Sequence, residues 1–239
     1  MEEKRPVYKR VLLKLSGEAL AGDAGTGLDF KVMAKVCGVV AEAARMGVEV
    51  GIVVGGGNFW RGVKNGEGRM DRARADYMGM LATIMNCLAL QDVLQQQGVN
   101  AKVLTAMEIQ HIGEPFSIDR ADTYLKAGNV VVFGGGVGSP YFTTDTGAVL
   151  RAALINAEAI LLAKNVDGVY SADPKKDPNA VRYDSLTYEE VLEKRLAVMD
   201  STATCIAMDN HIPVLVFALK DPENILLALR GEAVGTLVK

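Results

Sequence analysis

The sequence predicts the α/β class, as a three-layer α/β/α sandwich built on a mainly parallel central sheet. Three observations predict it. Short apolar runs rich in β-branched residues recur along the chain, as strands buried on both faces require. Segments of helical period separate them almost throughout, the order that a parallel sheet with crossover helices produces. Glycine turns follow directly on several of the runs, where open α/β sheets place their ligands.

The elements follow in order. Val11–Leu15 is a buried strand that runs into Ser16-Gly17. Asp29 is placed to cap a helix over 30–46, which Gly47 ends. The run 48–54 is a second strand, leading into Gly55-Gly56-Gly57. A long helix covers 72–97, with Met78, Leu81, Ile84, Met85 and Leu88 at helical spacing and Gly98 as its stop. Strands follow at 101–106, 129–133, 159–163 and 213–218, with a last one at 235–238. Helices are predicted at 119–126, 144–156, 187–196, 202–210 and 221–230. Thr187-Tyr188-Glu189-Glu190 matches a capping box. The stretch 165–181, with Pro174 and Pro178, reads as a loop. No linker or repeat divides the chain, so residues 1–239 are expected to form a single domain.

Composition narrows the function. At 239 residues, 49% hydrophobic, 23% charged and with a net charge of −3, the chain is globular and carries no basic stripe for a nucleic acid. The N-terminus lacks the apolar run of a signal peptide, and no apolar stretch is expected to reach the ~20 residues that span a bilayer. Cys37, Cys87 and Cys205 are odd in number and far apart, so neither a disulfide framework nor a zinc site is expected; a reducing, cytoplasmic compartment is. His111 and His211 have no serine or cysteine nearby in sequence, which sets hydrolase triads aside.

Four segments carry chemistry. In Lys14-Leu15-Ser16-Gly17 a lysine near a strand end precedes small residues, so an ammonium and backbone N–H groups can meet a phosphate, although a plain strand-ending turn has the same pattern. Gly55-Gly56-Gly57-Asn58 allows close backbone approach to an anion, and Arg61-Gly62 adds a planar guanidinium. The segment from Gly134 through Val137-Gly138-Ser139-Pro140-Tyr141-Phe142-Thr143-Thr144-Asp145 places glycines, hydroxyls and one carboxylate before a helix. That helix's N-terminus favours an anion, and Asp145 can equally be a charge in its first turn. The fourth, Lys164-Asn165-Val166-Asp167-Gly168-Val169-Tyr170-Ser171-Ala172-Asp173-Pro174, suits a base and ribose or is an ordinary polar loop. None is a P-loop, a strict dinucleotide fingerprint or a protein-kinase signature.

Together the four segments resemble the amino-acid kinase superfamily and, within it, the bacterial UMP kinases. The resemblance rests on Lys14–Leu20, Gly55–Gly62, Asp76–Thr83, Pro140–Asp145, Val166–Pro174 and Val198-Met199-Asp200. It implies an amino-acid kinase-like fold and reversible transfer of the ATP γ-phosphate to UMP, with Mg²⁺ accompanying ATP, in pyrimidine nucleotide biosynthesis. It implies that Lys14, Leu15, Ser16, Gly17, Gly57, Arg61, Asn165, Tyr170 and Asp173 bind ATP. It implies that Gly56, Asp76, Val137, Gly138, Ser139, Pro140, Tyr141, Phe142, Thr143 and Thr144 bind UMP. Lys14, Arg61 and Asp145 are then the catalytic set, and no residue is assigned as a ligand of the metal. Many UMP kinases have threonine and asparagine where Val137 and Ser139 stand; valine donates no hydrogen bond, so Ser139 or backbone groups read the base. The resemblance further implies a hexamer, inhibition by UTP and an activating site for GTP. At that site Gln91, Gln95, Lys102 and Asn129 carry little charge, so weak or absent GTP activation is expected.

Overall fold

The computed structural model describes residues 5–61, 70–174 and 176–239; Gly62, the last residue of the second glycine segment, lies outside them. The described strands are β1 (Arg10–Leu15), β2 (Glu49–Val54), β3 (Ala101–Thr105), β4 (Glu114–Pro115), β5 (Val130–Gly134), β6 (Ala159–Lys164), β7 (Val169–Tyr170), β8 (Arg182–Tyr183), β9 (Ser185–Leu186), β10 (Val214–Ala218) and β11 (Thr236–Val238). The described helices are α1 (Phe30–Arg45), α2 (Arg72–Gln96), α3 (Ile118–Lys126), α4 (Thr144–Leu154), α5 (Tyr188–Glu193), α6 (Ser201–Asp209) and α7 (Asn224–Leu229).

Nine of the described strands form one sheet in the order β4-β3-β5-β2-β1-β6-β10-β11-β9. Neighbours run parallel except β10 and β11. From β1 the chain first fills one side of the sheet, then returns through β6 to fill the other. The order therefore reverses beside β1, the point at which such sheets open a crevice at their carboxyl ends.

The period of two along each strand sorts its side chains between the layers. Val11, Leu13 and Leu15 of β1, with Val50, Ile52 and Val54 of β2, pack under α1, α2 and α7. Leu12, Val53, Leu162 and Val214 face α3, α4, α5 and α6. By the same parity Lys14 and Lys164 project from β1 and β6 toward the second face.

The helix ends obey local chemistry. Asp29 accepts from the N–H groups of Lys31 and Val32, and Gly47 follows α1 at φ 86°. The expected capping box at Thr187 and Glu190 opens α5. A 3₁₀ segment at Gly17–Ala24, broken at Gly22, was not foreseen. The stretch read as a loop contains β7, which pairs antiparallel with β8. α5 stops at Glu193 rather than near 196.

One described helix, α2, is long and apolar enough by length and composition to cross a membrane, judged over an 18-residue window. This contrasts with the expectation of no such stretch. Half of that window is buried in the fold, where Leu90 and Leu94 are fully enclosed, as in a core helix.

Candidate active site

The carboxyl ends of β1, β2, β5 and β6 bring the first three glycine segments and the start of the fourth together. Lys14 Nζ lies 2.5 Å from Asp145 Oδ1, although the two are 131 residues apart in sequence (145 − 14). It is a charge contact rather than an aligned hydrogen bond, since Oδ1 is buried without a hydrogen-bond partner. α4 delivers Asp145 in its first turn, and Thr143 caps that helix by accepting from the N–H groups of Asp145 and Thr146.

Lys164 completes the cluster. Sequence reasoning placed it inside a loop segment and gave it no role. Burial lowers its pKa, Asp145 raises it and Lys14 lowers it, so the three charges share one field. Its ammonium also donates to the carbonyl of Val198. A lysine on the last residue of a buried strand, as Lys14 nearly is, was the signal that could have found it.

Gly17 is packed on the second turn: a Cβ there would stand 2.4 Å from the Gly55 carbonyl oxygen. Leu15 is fully buried, so only its backbone can reach a ligand. Ser16 precedes the 3₁₀ segment without a side-chain cap bond. Gly56 is pressed against α2, and Gly57 lies beside Arg61, which is paired with Glu18.

Two cavities adjoin this cluster. One, of about 150 Å³, is lined by Gly56, Asp76, Val137, Ser139, Phe142, Thr143 and Thr144 among others. Trp60 also lines it and donates Nε1–H to the Ala75 carbonyl. Asp76 accepts from Arg72 Nε at 3.0 Å and from the Tyr141 N–H at 2.9 Å. Gly138, Pro140 and Tyr141 lie in the same loop but do not line the cavity. Tyr141 is exposed, with φ 72°. The other cavity, of about 420 Å³, is lined by Lys164, Tyr170, Asp173 and residues 194–197. Asn165 is exposed and does not line it.

Asp200, noted only within a motif, ties the loop down. It accepts from Thr143 Oγ1, from Thr146 Oγ1 at 3.0 Å and from the Ala203 N–H at 3.0 Å, capping α6. Burial would raise its pKa, but these hydrogen bonds outweigh that and hold it below the usual carboxylate value. Its stabilisation is therefore present above pH ~4 and is lost as pH falls through the lower native value. Asp200→Asn is expected to cost about 1–2 kcal/mol at pH 7 and progressively less in acid, read by denaturant unfolding at several pH values.

Burial pushes the Cys37 thiol up to about 12 and Cys87 higher still, so neither is a nucleophile at neutral pH. Among the described residues no group of three or more His, Cys, Asp or Glu could hold a metal ion.

The amino acid kinase family model matches residues 9–218. The fold superposes on the UMP kinase of Bacillus anthracis with TM-score 0.93 at 40% identity, covering 97% of this chain and 96% of that one. For the UMP kinase of Ureaplasma parvum the values are 0.91, 38%, 97% and 98%. For the uridylate kinase of Archaeoglobus fulgidus they are 0.74, 32%, 96% and 99%. The chain belongs to the amino acid kinase family. Its place within that family, by full-length likeness at this identity, is among the UMP kinases.

Proposed function

We propose that this protein transfers the γ-phosphoryl group of ATP to UMP, giving UDP and ADP, as a step of pyrimidine nucleotide synthesis. The observation that carries it is the Lys14–Asp145–Lys164 cluster, with Thr144 beside it lining one cavity and Lys164 lining the other. ATP takes the Tyr170 and Asp173 side; UMP takes the Asp76 and Ser139 side.

In the transfer, the bond from the γ-phosphorus to its bridging oxygen breaks, and a UMP phosphate oxygen forms the new one. That oxygen is already ionised, so no general base is required. Lys14, Lys164 and Arg61, with N–H groups of the glycine turns, neutralise the oxygens of the moving group. Asp145 holds Lys14 in place. The N-terminus of α4 faces the acceptor phosphate. Mg²⁺ would be carried on the ATP phosphates, with Asp145 as the carboxylate of the adjoining cluster, and would supply further charge neutralisation. Ser139 or backbone groups read the uracil beside Val137.

The test is ADP release measured across UMP, CMP, AMP and GMP, and across acetylglutamate, glutamate and carbamate. UMP is expected to be turned over at least about a hundred-fold faster than any other acceptor. Faster turnover of a carboxylate or carbamate acceptor would overturn the reading. UTP is expected to inhibit by occupying the UMP side. GTP is expected to activate less than about two-fold, because Gln91 and Lys102 bring a single formal cation to the cavity that they share with His111 and Glu114.

We further propose that copies of the chain associate into a homo-oligomer, a hexamer, through α2, in a cytoplasm whose reducing conditions suit three unpaired cysteines. Tyr77, Leu81 and Met85 recur at a spacing of four and are 44%, 50% and 50% exposed, with Met78 beside them. Leu81→Glu is expected to lower the mass measured by light scattering. An unchanged mass would remove this face from the interface.

A further inference from the structure

The inner face of α2 carries polar residues that a core helix does not need. Asn86 is fully buried and Thr83 and Asn58 nearly so, at 3% and 2% exposure. Asn86 Nδ2 donates to the Gly55 carbonyl at 2.7 Å and to Asn58 Oδ1 at 2.8 Å. Asn58 Nδ2 donates back to Asn86 Oδ1 at 2.9 Å and to the Gly27 carbonyl at 2.7 Å. One turn earlier, Thr83 Oγ1 accepts the Gly135 N–H at 2.9 Å and donates to the Met80 carbonyl at 2.7 Å. Between the two, Gly56 lies so close to the helix that a Cβ would stand 2.8 Å from the Gly79 carbonyl oxygen.

The turns after β2 and β5 are thus both fastened to α2, by different residues on one face. The turn after β1 is seated on the same fastening, because Gly17 rests against the Gly55 carbonyl and Asn58 Oδ1. We infer that Thr83 and Asn86 are positioning residues for phosphoryl transfer: Asn86 sets the turn between the two nucleotides, and Thr83 sets the turn that forms the acceptor side. The inference rests on the proposed reaction and adds to it a reason why the two phosphates meet in line.

The physical argument is that of a buried network with its partners in place. Each amide and hydroxyl has one geometry that satisfies it, and any slip leaves an unpaired polar group out of water. The network therefore holds the turns at discrete positions rather than merely near each other. Alignment of reacting groups demands that kind of definition, since small displacements are costly. Apolar residues at 83 and 86 would also fill the core, but they would not fix where the backbone of each turn lies.

The two residues act on different turns, so their loss is expected to show in different constants. Thr83→Val keeps the volume and removes the acceptor of the Gly135 N–H. It is expected to raise the KM for UMP about ten-fold with the KM for ATP unchanged. Thr83→Ser, which restores the hydroxyl, is expected to bring it back toward the wild-type value. Asn86→Leu strips the Gly55 carbonyl and Asn58 of their partner. It is expected to lower kcat by roughly thirty-fold, with both KM values within about three-fold.

The chain's single tryptophan, Trp60, lines the acceptor cavity, so UMP binding can be read by its fluorescence without turnover. Wild-type protein with neither a UMP response nor UMP-dependent ADP release would overturn the reaction and leave the fastening as architecture. A wild-type response, joined to unchanged constants in both variants, would overturn the positioning roles alone. So would activity lost only in proportion to the folded fraction seen by circular dichroism, or failure of both variants to fold.

Discussion

Lys14→Met is expected to lower kcat for UMP phosphorylation by about a hundred- to a thousand-fold, the usual effect of deleting one preorganised group that faces developing charge. The methionine keeps most of the buried volume, so packing beside β2 and β6 is retained. What is lost is the ammonium 2.5 Å from Asp145 Oδ1. Lys164 remains, and with it some of the local field, because it interacts with the same carboxylate. The loss is therefore expected to exceed that from any other single side chain of the cluster without reaching the uncatalysed rate. The thermal midpoint should move much less than the rate, since the variant leaves the core intact and Asp145 still faces one cation. Rapid-quench turnover at saturating UMP and ATP is the measurement. A kcat within about five-fold of the wild type would remove Lys14 from the chemistry.

Gly17→Ala should damage both rate and stability, for a different reason. The new methyl would lie 2.4 Å from the Gly55 carbonyl oxygen and 2.5 Å from Asn58 Oδ1. Neither atom is free to yield. The Gly55 N–H is bonded to the Leu15 carbonyl, and Asn86 holds both oxygens. The turns after β1 and β2 must therefore move apart by about 1 Å to reach ordinary contact, a strain of roughly 1–3 kcal/mol. A displacement of that size between two phosphate-binding turns can cost about a hundred-fold in rate. Thermal unfolding and kcat are both read, and wild-type values for both would show that the contact is soft. Gly38→Ala is the contrast: Gly38 lies inside α1 with nothing within 4 Å of a Cβ, so alanine there is expected to stabilise by about 0.5–1 kcal/mol.

Much of the fold was legible in the sequence because its strands are buried on both faces. Residues 50–54 of β2 and 159–163 of β6 read as unbroken apolar runs, a signal that needs no partner to be recognised. Caps at Asp29 and Thr187 were legible because a capping side chain bonds to N–H groups within three residues. The short strands were not. β4, β7, β8 and β9 have two residues each, and each exists only because a distant segment pairs with it.

The candidate site divides along the same line. The glycine turns, Arg61 and Asp145 could be picked out as residue types suited to phosphate, because backbone freedom, charge and hydroxyls are properties of the residues themselves. Lys164, Asp200, Thr83 and Asn86 could not. Each is an ordinary residue locally, and its place depends on strands or helices brought together from far along the chain. By itself the sequence determined the strand–helix alternation, the helix caps and the chemistry available at the strand ends. Only the tertiary structure decided that Lys14, Asp145 and Lys164 share one field and that α2 fastens two turns. The reason is range: capping and periodicity act over a few residues, whereas a salt bridge or a buried amide pair is set by which strands lie side by side.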